Sequence, residues 1–260
     1  MSVRFRVAIP ARYGSSRLPG KPLRLIGGRA MIEHTYRRAR ESGADSVLIA
    51  TDDERIRQAA LEFGADVCMT SDAHQSGTDR LAEVARLRGW DDGDIVVNLQ
   101  GDEPMMPPSL LSQVAEGLTG HPDAGIATLC TPIEEAQDLF DPNVVKAVLD
   151  ARGYALYFSR APVPFRREGF GDGEAGPPRL PGGRPYWRHL GIYAYRVGVL
   201  RAYPALDPAP AEQAELLEQL RALWHGIRIH VQQARVTPPL GIDTEQDLAR
   251  VSAALDGQQE

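Results

Sequence analysis

Cysteine is scarce in this chain of 260 residues, which has only Cys68 and Cys130. The two lie far apart in the sequence and neither belongs to a CxxC pair, so the sequence excludes a disulfide scaffold and a cysteine-based zinc site. Both are surrounded by apolar residues, which indicates two reduced, buried thiols in a cytoplasmic protein. The apolar stretch at the beginning of the chain is interrupted by Arg4, Arg6 and Pro10, unlike that of a secretory signal peptide.

Long apolar runs and an excess of positive charge are also missing. The chain has no run of about 18 apolar residues, so no membrane-spanning helix is expected. Its 29 lysines and arginines are outnumbered by 35 acidic residues, which gives a formal net charge of −6. A negative chain is a poor candidate for general nucleic-acid binding, because that binding depends on neutralising phosphates with Lys and Arg. A small anionic ligand is compatible with this charge, since its binding depends on local charge alone.

The first half of the chain alternates short apolar runs with helical patterns. Buried strands are predicted at residues 5–9, 46–50, 66–69 and 94–99. Helices are predicted at residues 31–42, 53–63, 78–88 and 109–118. This β-α-β-α order predicts an α/β fold with a mostly parallel, Rossmann-like sheet and helices on both of its faces. The strands lack polar alternation, which is typical of strands that are covered on both sides.

The second half is less regular. Strands are predicted at residues 144–149, 154–158, 191–195 and 227–231, and helices at 212–224 and 244–255. The helix at 212–224 is expected to bury Leu216, Leu217, Leu220 and Trp224. A segment rich in Gly, Pro and Arg at residues 162–185 indicates a loop or an excursion over another subunit. We therefore expect a single domain over residues 1–260, with a smaller irregular α+β lobe of strands and loops inserted at about residues 150–195.

A basic, glycine-containing loop directly follows the first strand, at residues 10–22. Loops at the carboxyl ends of strands in an open parallel sheet are where ligands bind. Arg12, Arg17 and Lys21 bring three positive charges to a loop of little bulk, which suits a triphosphate. The loop is not a Walker A motif, because its spacing is one residue too long and Pro22 replaces the Ser or Thr that would hold magnesium. The alternative interpretation is a solvated basic turn.

An acidic turn ends the strand predicted at residues 94–99. Its sequence is NLQGDEP, at residues 98–104, and it contains Asp102 and Glu103. Carboxylates at the carboxyl end of a strand can hold a hard divalent cation through oxygen. A turn or a helix cap explains the same residues without a ligand.

A second acidic segment, GIDTEQDL, lies at residues 241–248. Thr244 and Asp247 have the spacing of a capping box that begins the last helix, and Asp243 lies just outside that box. Taken alone, Asp243 is better explained as a further capping carboxylate. Paired with Asp102, it would complete a two-carboxylate magnesium site.

Polar residues in two other regions could contact a base or an anionic sugar. Ser76 and Arg80 belong to a polar loop that begins a helix, so an N-cap at Ser76 or Thr78 is the alternative to a base contact. Arg160 and His189, taken singly, are explained as a surface ion-pair partner and a structural residue. An anionic sugar would need such an arginine to bind its carboxylate.

Several motifs together resemble one known family, the 3-deoxy-D-manno-octulosonate (Kdo) cytidylyltransferases. The resemblance covers residues from about Val7 to Val251, essentially the whole chain. It is carried by ARYGSSRLPGKP at 11–22, CMTSDAHQSGTDRLAE at 68–83, NLQGDEP at 98–104, YALYFSRA at 154–161, RHLGIY at 188–193, LLEQLR at 216–221 and GIDTEQDL at 241–248. Several motifs at the family's spacing are far more specific than any one of them.

The resemblance implies a nucleotidyltransferase fold and a magnesium-dependent reaction. CTP and Kdo would give CMP-Kdo and pyrophosphate, for lipopolysaccharide biosynthesis. Magnesium would be held by Asp102 and Asp243. The expected catalytic residues are Arg12, Arg17, Lys21 and Asp102. The expected nucleotide contacts are Ala11, Arg12, Lys21, Ser76, Gly77, Arg80 and Gln100. The expected Kdo contacts are Gln100, Arg160, His189, Tyr193, Glu218 and Gln219. The family also implies a homodimer, whose interface we expect in the irregular middle segment.

The expected mechanism is attack of the anomeric hydroxyl of Kdo on the α-phosphorus of CTP, with pyrophosphate leaving in line. Two anionic substrates repel each other, so cations must neutralise the phosphates and the sugar carboxylate together. We hypothesise that no side chain acts as a general base. Two alternatives remain at this stage: the same chemistry on 8-amino-Kdo or a sialic-type acid, and a nucleotide-binding regulatory protein without turnover. The pair Asp102 and Asp243 discriminates against the latter, because binding alone needs no two-carboxylate metal site.

Overall fold

The computed structural model describes residues 3–14, 18–74, 76–167, 180, 186–239 and 241–256. The strands are β1 Arg6–Ala11, β2 Leu25–Ile26, β3 Arg29–Ala30, β4 Ser46–Thr51, β5 Asp66–Met69, β6 Ile95–Asn98, β7 Ile126–Ile133, β8 Lys146–Leu149, β9 Ala155–Ser159, β10 Tyr186–Arg196 and β11 Ile229–Gln233. The α-helices are α1 Met31–Arg40, α2 Glu54–Glu62, α3 Gly77–Leu87, α4 Pro108–Thr119, α5 Ala136–Phe140, α6 Val197–Ala202, α7 Pro210–Glu215, α8 Gln219–Trp224 and α9 Glu245–Asp256. Two 3₁₀ turns are formed by Lys21–Leu23 and Tyr203–Ala205.

The main sheet has the strand order β11-β7-β10-β6-β1-β4-β5. β1 is parallel to both β4 and β6, and β4 is parallel to β5. β10 is antiparallel to both β6 and β7, whereas β11 is parallel to β7. All strands along this path therefore run in the same direction except β10. β8 and β9 form an antiparallel hairpin that is attached to β10 through β8. The prediction of a mostly parallel α/β sheet is confirmed.

Helices cover both faces of this sheet, which explains why its central strands show no polar alternation. Val7 and Ile9 of β1 pack in one apolar cluster with residues of α1, α2 and α4. Ala8 lies between them and packs in a second cluster, with residues of α3, α6 and α8. Successive side chains of a strand point to opposite faces, so β1 must be apolar throughout.

The two cysteines are buried and carry free thiols, as predicted. Burial raises the pKa of Cys130 to about 12, so its thiol stays protonated. Among the described residues, no helix is both long and apolar enough to cross a bilayer. Most of the segment predicted as a loop at residues 162–185 lies outside the described residues.

The prediction of one amphipathic helix over residues 212–224 is wrong. The chain forms two short helices, α7 and α8, because Leu216 adopts the left-handed conformation with φ 51° and ψ 47°. Leu216 and Trp224 are 79% and 64% exposed, so the prediction that both are buried is wrong. Leu217 and Leu220 are buried as predicted. The periodicity of apolar residues cannot distinguish one helix from two, whereas tertiary contacts stabilise the corner between them.

Candidate active site

The loops that follow β1 and β6 meet, because these strands are parallel neighbours and both end at the same edge of the sheet. Between the loops is a cavity of about 250 Å³. Its lining includes Ala11, Arg12, Lys21, Gln100, Asp102 and Asp243. The structure thus brings together the basic loop and both acidic segments that the sequence predicts to act on a nucleotide and a metal.

Lys21 joins the two acidic segments. Its Nζ donates to Asp102 Oδ2 at 2.6 Å and to Asp243 Oδ1 at 2.9 Å. These partners are 81 and 222 residues away from Lys21 in the sequence. Burial opposes the charge on Lys21, but the two carboxylates outweigh burial and raise the Lys21 pKa above its ordinary value. The carboxylates of Asp102 and Asp243 are therefore both directed at the ammonium group of Lys21.

The position of Asp243 depends on the chain around it. The N–H of Ile242 donates to the carbonyl of Asp102 at 3.1 Å. The Ile242 side chain is buried in a small apolar cluster beside Met31. The predicted capping box is confirmed, because Thr244 Oγ1 accepts from the N–H of Asp247 at 3.2 Å and Asp247 Oδ2 accepts from the N–H of Thr244 at 3.0 Å. The N–H of Asp243 also donates to Asp247 Oδ2, at 3.1 Å. Capping of the last helix is thus performed by Thr244 and Asp247, and Asp243 is not needed for it.

Glu103 lies against the same two segments. A Cβ on Gly241 would be only 2.9 Å from Glu103 Oε1, which shows how closely the acidic turn and the 241–243 segment pack. Burial, and after it the charge of Asp102, raise the pKa of Glu103 to about 8. At neutral pH Glu103 is therefore mostly protonated. Of the acidic residues in this turn, Asp102 supplies the negative charge.

The basic loop folds back on itself to deliver Lys21. The N–H of Gly20 donates to the carbonyl of Tyr13, and Gly20 has a positive φ of 65°. A Cβ on Gly20 would be 3.1 Å from the Tyr13 ring, so glycine is needed here for both conformation and space. Arg12 is exposed at the mouth of the cavity. Arg17 lies outside the described residues.

A second cavity, of about 340 Å³, adjoins the first and shares Arg12 and Gln100 with it. Its other lining residues include Ser76, Gly77, Arg80 and Glu218. Ser76 is the N-cap of α3, since its Oγ accepts from the N–H of Asp79 at 3.1 Å. The capping explanation is therefore correct for Ser76, and it coexists with a place in the cavity wall.

Arg80 is buried and already bonded within the chain. Its guanidinium donates to Asp52 Oδ2 at 2.7 Å and to Thr70 Oγ1 at 2.5 Å. These contacts fix the loop that precedes α3. His74, in the same loop, contacts Glu83 at 2.6 Å. It borders both the cavity of about 340 Å³ and another cavity of about 400 Å³.

A small third cavity, of about 30 Å³, is lined by four of the six predicted sugar contacts, one of which is Gln100. Its lining includes Tyr193, Glu218 and Gln219. Burial raises the pKa of Glu218 above its ordinary value. Glu218 Oε1 is buried, and no described residue provides it with a hydrogen-bond donor. Gln100 borders all three cavities, so it lies where they meet.

His189 and Tyr193 are brought close by an irregularity in β10. The pairing of β10 with β7 shifts register between Leu190 and Tyr193. Four residues of a regular strand span about 13 Å, yet the rings of His189 and Tyr193 are 5.3 Å apart. The hydroxyl of Thr128 donates to the carbonyls of Leu190 and Ile192, which stabilises the bulge.

The same hydroxyl determines the tautomer of His189. Thr128 Oγ1 lies 3.0 Å from His189 Nε2. Because the one hydroxyl proton is directed at carbonyls, the Thr128 oxygen must accept from Nε2–H, and His189 Nδ1 then carries the lone pair. Burial lowers the pKa of His189 to about 3, so the ring is neutral. Sequence reasoning missed Thr128, although a threonine in an otherwise apolar strand is a usable signal.

Arg160 does not line these cavities. Its guanidinium donates from Nε to the carbonyl of Glu215 at 2.6 Å and from Nη1 to the carbonyl of Pro142 at 2.8 Å. Both acceptors are neutral, and no described carboxylate pairs with the guanidinium. Of the predicted sugar contacts, Arg160 and His189 are the two that do not line these cavities.

Comparisons with known proteins agree on one family. The sequence model described as "Cytidylyltransferase" matches residues 7–229. The chain is 54% identical over 255 residues to the 3-deoxy-manno-octulosonate cytidylyltransferase of Nitrosococcus oceani, covering 98% of each chain. It is 57% identical over 258 residues to that of Alkalilimnicola ehrlichii, covering 99% of this chain and 98% of the relative. A solved CMP:2-keto-3-deoxy-manno-octonic acid synthetase complexed with CTP is 42% identical, with a TM-score of 0.87 over 98% of this chain and 99% of that chain.

Proposed function

The chain belongs to the 3-deoxy-manno-octulosonate cytidylyltransferase family, and from this we propose that it transfers CMP from CTP to the anomeric hydroxyl of Kdo. The products are CMP-Kdo and pyrophosphate, and the reaction serves lipopolysaccharide biosynthesis in the cytoplasm, where CTP is available. The names of the relatives favour Kdo over 8-amino-Kdo or a sialic-type acid. The observation that supports this function most directly is the junction of Lys21 with Asp102 and Asp243 beside the basic loop.

The nucleotide occupies the two larger cavities in this proposal. Its phosphates lie in the cavity of about 250 Å³, where Arg12 and Lys21 offer positive charge. Arg17 would add a third cation from the same loop. The cytidine lies in the cavity of about 340 Å³, against the beginning of α3. Its contacts there would be Ala11, Ser76, Gly77, Arg80 and Gln100.

The residues present fit a magnesium ion. Asp102 and Asp243 supply hard oxygen ligands directed at one point, and that point tolerates a cation because Lys21 Nζ holds it. Magnesium is usually bound by one or two carboxylates together with substrate phosphates and water. Among the described residues there is no cluster of three or more His, Cys, Asp or Glu suited to a metal, so substrate oxygens would complete the ligands. Bound there, Mg²⁺ would supply positive charge to the α-phosphate and to the attacking hydroxyl.

The residues of this chain bring the two anions together. Lys21 and Arg12 both line the cavity proposed for the phosphates, where they would neutralise phosphate charge. Glu218, Gln219 and Tyr193 offer polar groups to the sugar hydroxyls. His189 Nδ1 offers a lone pair as a further acceptor. Arg160, whose charge is not paired with a carboxylate in the described chain, would bind the carboxylate of Kdo.

Pyrophosphate release from CTP tests the function directly. The assay uses Kdo, 8-amino-Kdo and a sialic-type acid, each with Mg²⁺ and with EDTA. We expect release to be fastest with Kdo and to be lost on chelation. Faster release with another acid sugar would show that Kdo is not the preferred substrate. Undiminished release in EDTA would contradict the proposed dependence on Mg²⁺. CTP binding without release would indicate a regulatory protein.

A His189→Asn variant tests whether a side chain acts as the general base. Because burial holds the pKa of His189 near 3, the ring stays neutral across an assay range of about pH 6–9. We expect the variant to lower kcat/KM for Kdo through a lost contact, while the acid limb of the pH–rate profile stays at the same pH. The profile of kcat/KM against pH, measured for both proteins, decides this. A displaced acid limb would show that His189 titrates in the reaction.

We also propose that the chain forms a homodimer. β9 forms a ladder with β8 alone among the described strands, and a single bridge joins the adjoining Tyr154 to His230 of β11. Leu156 is 61% exposed on this edge, and Phe165, just beyond it, is exposed as well. An exposed apolar edge strand favours association. The mass of the chain in solution by light scattering tests this, and a monomer contradicts it.

A further inference from the structure

Glu215, the last residue of α7, is bonded to the end of β9 from several directions. Its Oε1 accepts from Ser159 Oγ at 2.7 Å and from Tyr157 OH at 3.3 Å. Its Oε2 accepts from the N–H of Arg160 at 2.7 Å, and its main-chain carbonyl accepts from Arg160 Nε at 2.6 Å. Side chain and backbone of one residue thus determine where the Arg160 guanidinium lies.

The chain turns sharply directly after Glu215. Leu216 has a φ of 51°, the only positive φ of a non-glycine residue in the described chain. Left-handed backbone is unfavourable for leucine, and a side chain that is 79% exposed gains nothing by burial there. Other contacts must therefore hold the corner. The bonds of Glu215 hold its first side, and Tyr203 OH, which donates to the carbonyl of Glu218 at 2.7 Å, holds its second.

The corner determines which side chains face the substrate cavities. Glu218 and Gln219 follow the turn, and both border the small third cavity. Glu218 Oε1 is buried without a donor among the described residues, so a ligand hydroxyl can supply one. Glu215 therefore lies between Arg160 on one side and the pair Glu218 and Gln219 on the other.

We propose that Glu215 is a positioning residue for the acid sugar. It holds the cation that binds the sugar carboxylate in fixed relation to the groups that bind the sugar hydroxyls. This inference rests on the proposed function. It concerns the sugar alone, because the side-chain hydrogen bonds of Glu215 in the described chain go to Tyr157, Ser159 and Arg160 and not to the basic loop or the beginning of α3.

A Glu215→Ala variant is expected to raise KM for Kdo by about 10-fold or more, as loss of a well-placed contact does. KM for CTP should change by less than about 2-fold. A Glu215→Gln variant keeps one acceptor oxygen and should recover part of the loss. KM for each substrate and kcat are measured by pyrophosphate release, and thermal melts report folding.

Glu212 provides a matched control on the same helix. Its carboxylate accepts from Arg221 at 2.6 and 2.8 Å and from the N–H of Ala209 at 3.1 Å, and it does not contact β9. Glu212→Ala should lower the melting temperature without the selective rise in KM for Kdo. The proposal is overturned if Glu212→Ala and Glu215→Ala raise that KM equally, or if Glu215→Ala raises both KM values in parallel.

The wild-type chain separates this inference from the function on which it rests. If wild type releases pyrophosphate with Kdo and Glu215→Ala leaves KM for Kdo unchanged, only the positioning role fails. If wild type releases none with Kdo, the proposed function fails first. Should Glu215→Ala melt below the assay temperature, the folded Glu215→Gln variant decides, and an unchanged KM for Kdo there also overturns the role.

Discussion

Asp102→Asn is expected to abolish pyrophosphate release while the chain stays folded. The amide has nearly the same shape as the carboxylate, but it removes the negative charge that Lys21 Nζ contacts at 2.6 Å. A metal at a reacting phosphate contributes several kcal/mol of charge stabilisation. We therefore expect turnover to fall by at least about 10³-fold, since each 1.36 kcal/mol corresponds to about tenfold in rate. The measurement is pyrophosphate release at saturating CTP and Kdo over a range of Mg²⁺ concentrations.

Asp247→Asn is the matched control for this variant. Asp247 lies four residues after Asp243 and accepts from main-chain N–H groups at the beginning of α9. The amide removes the charge of Asp247 but keeps an oxygen that can accept these bonds, so this variant should stay folded and leave turnover nearly unchanged. Thermal melts of both variants confirm folding. Near wild-type rates for Asp102→Asn in Mg²⁺ would remove Asp102 from the metal site.

Lys21→Ala should lower turnover by about 10²-fold or more, because in the proposed function Lys21 stabilises charge that develops on the phosphates. The variant should also change how Mg²⁺ affects stability. In wild type, the ammonium holds Asp102 and Asp243 together. Without it the two carboxylates repel each other, so added Mg²⁺ should raise the melting temperature of the variant more than that of wild type. Activity and melting temperature are measured on the same samples.

Arg24→Ala is the control for the loss of a nearby cation. Arg24 follows the same 3₁₀ turn and forms an exposed ion pair with Glu245 at 2.8 Å. Exposed pairs contribute little, so this variant should keep both its turnover and the wild-type response to Mg²⁺. If turnover of Lys21→Ala decreases by only a few-fold, Lys21 is a peripheral contact and not a catalytic residue. An identical Mg²⁺ response in Lys21→Ala and wild type would separate Lys21 from the metal site.

The sequence alone was sufficient to predict the site residues that lie in loops directly after a strand. The basic loop directly follows β1 and the acidic turn directly follows β6. Parallel strands end at one edge of a sheet, so the alternation of strands and helices predicts that the basic loop and the acidic turn share that edge. That β1 and β6 are neighbours, which brings Lys21 to Asp102, is known only from the structure. The comparisons confirm the family that the motifs resembled.

The sequence was not sufficient where the same spacing of apolar residues is compatible with two different backbone structures. The apolar spacing of residues 212–224 fits one helix, but the left-handed Leu216 divides it. Periodicity reports which residues are apolar and not whether the backbone bonds continue between them. The role of Glu215 could not be predicted from the sequence for a related reason. A glutamate on a helix pattern is normally a solvated residue, and only its contact with β9 distinguishes it.

The amino-acid sequence by itself therefore determined the α/β architecture, the covered strands and the motifs of a cytidylyltransferase, because these depend on neighbours along the chain. Only the tertiary structure decided that Asp243 meets Asp102 at Lys21, that burial raises the pKa of Glu103, and that Arg160 is held by Glu215 outside the cavity wall. Those features depend on distances between residues remote in sequence and on how far packing removes each charge from water, and neither quantity is encoded in local pattern.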